Sequence, residues 1–113
     1  MKNVQYKYSN HAWGFNKEEL HIIDFEKKLY ACFENENLIS HLPLPDDLLT
    51  TIKNFFEPIY VEFPKDEMAF DAPMWTLTID DKSCTRIADK CYDSTYKTLS
   101  ELFEKIKTIT LKK

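Results

Sequence analysis

The sequence predicts an α+β domain: an antiparallel sheet built of hairpins, with two main helices packed on one face, in the order β-ββ-α-ββ-α. Three observations carry this. Apolar residues alternate with polar ones at Val4, Tyr6 and Tyr8 and again at Trp75, Leu77 and Ile79, the period of a half-buried strand. Two apolar stripes fall at helical spacing, one through Leu48, Leu49, Ile52, Phe55 and Phe56, with Ile59 at the next position that would extend it, the other through Tyr96, Leu99, Leu102, Phe103 and Ile106. The strands come in hairpins between single helices, so the βαβα alternation of a doubly wound sheet is absent. At 113 residues the chain supplies one core, and residues 1–113 are expected to form a single compact domain.

Taken in order, residues 4–8 form the first strand. A loop over 9–17 follows, with Asn10, Gly14 and Asn16 as turn residues and Trp13 and Phe15 as apolar plugs. Residues 20–25 and 28–34 read as a hairpin turning near Glu26 and Lys27, and a second turn lies at 35–37, where asparagine substitutes for glycine. The Pro-rich run 41–45 cannot be helical, but Pro45 suits a helix start because its missing N–H would be unpaired there. Asp46 and Asp47 then favour the positive end of the helix dipole. Pro58 is expected to end this helix near Phe56 and Glu57, leaving 59–63 as a short edge strand stopped by Pro64. Residues 75–79 and 84–88 form the last hairpin around a turn at 80–83. Asp93 or Ser94 caps the final helix, and 108–113 alternate briefly.

Composition excludes several kinds of chemistry. Gly14 is the only glycine, and loops that cradle phosphate or expose a nucleophilic serine need several. The three cysteines, Cys32, Cys84 and Cys91, contain no CxxC pair, and no histidines are spaced HxxxH. They read as reduced thiols, and neither metal nor cofactor is expected. His11, His21 and His41 stand in no motif that would position a base, so no catalytic residue is assigned. Asp46 and Asp47 are explained by a helix start, and Asp80 and Asp81 by a turn.

Charge is the remaining clue. The formal net charge is −4, which argues against a general nucleic-acid binder. Residues 31–72 hold two lysines against nine acids, a local charge of −7, whereas the flanking segments are slightly basic. Asp66, Glu67 and Asp71 crowd a loop with Met68 and Phe70, and aromatics and methionine are enriched in interfaces; the same apolar residues could instead plug the core. We expect partner binding through Asp66, Glu67, Asp71, Phe70, Glu62 and Glu57. Reversing Asp66, Glu67 and Asp71 to lysine is expected to slow association while leaving the fold intact.

Residues 75–109, a Trp-bearing strand, turn, strand and helix, are similar to an ending found in many small bacterial proteins, with Asp81, Lys82, Asp89 and Lys90 where that ending usually carries glycines. The whole outline resembles the small cytosolic immunity proteins of bacterial polymorphic-toxin and contact-dependent inhibition systems. The resemblance implies a non-catalytic, antitoxin-like inhibitor that forms a heterodimer with a basic toxin, such as a nuclease. A phage-encoded inhibitor of a host defence nuclease, of anti-CRISPR kind, shares these features. A small enzyme or ligand-binding domain is the third class, and it requires a polar pocket around His21, His41 or Cys91. The start of the sequence carries no hydrophobic export signal, so a cytoplasmic protein without direct nucleic-acid or membrane contact is expected.

Overall fold

A computed structural model describes residues 1–11, 14, 16–67, 72–88 and 94–111, with side chains through residue 108. Its elements are β1 (Asn3–Asn10), β2 (Lys17–Asp24), β3 (Leu29–Glu34), β4 (Asn37–Pro43), α1 (Asp46–Val61), β5 (Met74–Ile79), β6 (Lys82–Ile87) and α2 (Ser94–Leu111). The six strands form one sheet in the order β4-β3-β2-β1-β5-β6. Every neighbouring pair is antiparallel. The α+β architecture read from the sequence is therefore the observed one.

Side-chain alternation decides which face is buried. Val4 and Tyr6 of β1, His21 and Ile23 of β2, Tyr30 and Cys32 of β3, and Trp75, Leu77 and Ile79 of β5 all point to the helices. The helices answer with Leu49, Ile52 and Phe56 from α1 and Leu99, Phe103 and Ile106 from α2. Phe56 and Phe103 meet with ring centroids 6.0 Å apart, so the two helices share one core. The length of α1 suits the crossing it makes. Its 16 residues rise about 24 Å, enough to return the chain from the β4 edge past three strands to β5, a distance of about 19 Å.

Tight turns fix the register without glycine. Asn35 and Glu36 both take positive φ, 49° and 69°, the backbone of the hairpin turn whose twist matches its strands. Asp24 Oδ1 accepts the amides of Glu26 and Lys27 at 3.0 Å, and Asp80, at φ 52°, turns β5 into β6.

Four expectations need correction. Strand β4 is absent from the sequence-based order, because its residues do not alternate. Only Ser40 is buried there, Leu38 and Ile39 are exposed, and the pairing with β3 is interrupted between Cys32 and Phe33. Helix α1 does not stop before Pro58. Proline forfeits one amide donor, but Ile59 and Tyr60 pack against the core, and the Pro58 carbonyl accepts the Glu62 amide at 3.1 Å. The expected strand over 59–63 consequently does not form, since 59–61 are helical. Residues 108–111 continue α2. Trp13, Phe15, Asp89, Lys90 and Asp93 lie outside the described residues.

Candidate functional site

Of the six residues expected at a partner surface, four are described, and they divide into two kinds. Asp66 and Glu67 are fastened to the outer edge of β6. Asp66 Oδ1 accepts the Thr85 amide at 2.8 Å, and the Glu67 amide donates to the Thr85 carbonyl at 2.8 Å. Arg86 donates to the Lys65 carbonyl at 2.7 Å and pairs with Glu67 at 3.3 Å. The segment thus covers a sheet edge that would otherwise offer free donors and acceptors. Reversing these two charges would remove the side-chain contacts of the edge covering, so its effect would fall on stability as well as on any partner. Phe70 and Asp71, with Met68, lie outside the described residues.

Glu57 and Glu62 are of the other kind. Both are exposed, and neither has an ion-pair partner among the described residues. They stand at the C-terminal end of α1, whose last turn holds no basic residue, where the helix dipole disfavours negative charge. Between them Val61 is 74% exposed, the most exposed large hydrophobic described. The nearby turn adds Asp81, whose carboxylate accepts the Tyr60 hydroxyl at 3.0 Å and holds that phenol above its ordinary pKa. Lys82 donates to the Tyr60 carbonyl at 2.9 Å and lies over the Tyr60 ring, partly offsetting the dipole.

A second constellation is buried. Cross-strand pairing aligns one residue from each strand in a row across the inner face: Ser40, Cys32, His21, Tyr6, Leu77 and Cys84. His21 is only 1% exposed and stacks on Phe103 at 4.7 Å. Its Nε2 meets Glu19 Oε1 at 2.7 Å and its Nδ1 meets the Tyr30 hydroxyl at 2.8 Å, so both ring nitrogens are satisfied. Glu19 and His21 reach the same face because they are two apart on β2. They line a cavity of about 270 Å³ with Tyr8, Lys17, Tyr96 and Glu104.

The titrating groups of this site are shifted in opposite directions. The hydrogen bond from His21 holds the Glu19 carboxyl below its ordinary pKa, against the opposing effect of burial. Burial pushes the Cys32 thiol and the Tyr30 phenol up, so both stay protonated at neutral pH. Nucleophilic attack and metal ligation alike require that the thiol lose its proton. The polar pocket around His21 nevertheless meets the condition set by the third functional class. Sequence reasoning singled out His21 but missed Glu19, Tyr30, Lys17 and Glu104; the alternation Glu19, His21 was the available signal.

The other candidates are dispersed. His11 is exposed beside Glu18 at 3.4 Å, His41 is exposed on the edge strand β4, and Cys84 is buried at the far end of the row. Cys91 lies outside the described residues. Among the described residues no helix is long and apolar enough to cross a membrane. Comparison of the chain with protein families, with curated proteins and with solved structures finds no match.

Proposed function

We propose that this chain is a non-catalytic inhibitor of immunity type, acting in the cytoplasm, that binds a toxin or effector carrying a basic, phosphate-gripping surface. The contact centres on the C-terminal end of α1, with Glu57 and Glu62 around Val61, and continues into the acidic loop after it. One observation carries the reading. Two carboxylates without an ion-pair partner among the described residues stand at the negative end of a helix dipole, a placement that costs the fold stability and that packing does not explain. A cationic partner converts that cost into attraction. The arrangement of an exposed apolar side chain within an acidic rim matches how interfaces combine a hydrophobic centre with steering charge.

The test is a pull-down of the tagged chain with the product of the gene beside its own, at low and high salt. A one-to-one complex that weakens with salt supports the reading; no complex at either salt overturns it. A neighbouring toxin domain favours immunity, whereas phage genes favour the anti-defence variant of the same inhibitory chemistry.

A further inference from the structure

The buried polar row has a property that the partner surface does not use. Glu19, His21 and Cys32 present a carboxylate oxygen, an imidazole nitrogen and a sulfur, all within 4.8 Å of one another. We propose that these three side chains form a binding site for a divalent transition metal of zinc type, with the fourth position reached from the cavity that Glu19 and His21 line.

The donor set fits that class of ion. One nitrogen, one oxygen and one sulfur suit a borderline-soft cation, and neither calcium nor magnesium favours sulfur. Bond lengths of about 2.0–2.3 Å around a tetrahedral ion place ligand atoms about 3.3–3.7 Å apart. The 2.7 Å contact between Glu19 and His21 therefore opens slightly, while the sulfur stands within 4.8 Å of both. In the metal-free protein His21 Nε2 meets the Glu19 carboxylate and Nδ1 meets the Tyr30 hydroxyl. On metal binding Nε2 becomes the ligand and Nδ1–H donates to the Tyr30 oxygen, the outer hydrogen bond that fixes the ring of a metal-bound histidine. The thiol proton of Cys32 leaves to solvent as the sulfur coordinates.

A second observation points to an occupant. The Ser40 hydroxyl, 7% exposed, sits beside Cys32 in the cross-strand row and has no hydrogen-bond partner among the described residues. An unpaired buried hydroxyl is costly, and a water or ligand carried by a bound ion would give it a partner. Access exists as well, because a cavity of about 270 Å³, large enough to admit water, opens against Glu19 and His21.

Titration of the reduced, metal-free protein with Co²⁺ tests this, because cobalt reports its ligands. The expected result is one equivalent bound, with the visible bands of a tetrahedral site and a sulfur-to-cobalt charge-transfer band. Cys32→Ser removes the charge-transfer band. Glu19→Gln, at a partly exposed position, retains the near-ultraviolet circular dichroism of the fold and weakens cobalt binding by at least about tenfold. If Cys32→Ser does not fold, Glu19→Gln decides alone. Absence of tetrahedral bands in the parent protein overturns the site. So does a sulfur band that survives Cys32→Ser, which assigns the metal to Cys84 or Cys91, and so does unchanged affinity in Glu19→Gln.

Discussion

Replacing Asp66 and Glu67 by alanine separates the acids that build the fold from those available to a partner. Asp66→Ala removes the acceptor of the Thr85 amide, a charge-assisted bond of 2.8 Å at an exposed edge. Such a bond contributes about 1 kcal/mol net. Glu67→Ala removes a 3.3 Å ion pair with Arg86 that is half in solvent, worth roughly 0.5 kcal/mol after screening. Together the two changes lower stability by about 1.5 kcal/mol, or roughly 6–9 °C in Tm for a domain of this size. Thermal melts followed by circular dichroism measure the loss, and amide exchange locates it: the Thr85 N–H should lose its protection while the β1–β2 ladder keeps its own. The freed β6 edge also makes the variant more prone to associate through that strand. An unchanged Tm together with unchanged Thr85 exchange would refute the assignment of these acids to edge covering.

Phe103→Ala removes a ring that is 1% exposed and stacked on Tyr6 at 4.9 Å and on His21 at 4.7 Å; chemical denaturation should show a loss of about 3–5 kcal/mol. Asp80→Ala loses acceptors for the amides of Lys2 and Asn3 at 2.8 and 3.0 Å and places alanine at φ 52°, costing roughly 2 kcal/mol in the same assay. Asp80→Asn, which tolerates that backbone, should recover part of the loss. Glu19 has a folded pKa depressed below the ordinary 4.5, so its contribution is complete above that value and is lost as pH falls through the lower folded one. Melts between neutral pH and about pH 3 should accordingly show a shallower acid decline in Glu19→Gln than in the parent.

Strands and helices were legible where one residue set served one face. Trp75, Leu77 and Ile79 alternate cleanly because β5 lies inside the sheet, and the α2 stripe appears because one side of that helix meets the core. β4 was not legible: as an edge strand with an irregular pairing it buries too little to impose a period. The path of α1 beyond Pro58 was hidden for a related reason, since packing of Ile59 and Tyr60 outweighs one missing amide and local sequence does not report packing. The docking of Asp66 and Glu67 depends on Thr85 and Arg86, some twenty residues away, so composition alone could not separate these acids from Glu57 and Glu62. Spacing rules likewise pass over Glu19, His21 and Cys32. They assume ligands within one turn or knuckle, whereas strand pairing brings His21 opposite Cys32 from eleven positions away.

The end of α1, taken as a binding surface held against the preferences of the fold, has to answer to stability and association at once. The decisive comparison sets the parent beside the double variant Glu57→Lys, Glu62→Lys and measures both stability and binding to the cognate partner. Because the substitutions place positive charge at the negative end of a dipole, stability should hold or rise, by about 0.3–1 kcal/mol per site before salt screening. Association should slow by roughly one to two decades at low salt, and its salt dependence should flatten. A variant that binds as fast as the parent, or that binds poorly only because it has lost stability, would show that Glu57 and Glu62 are not the partner surface.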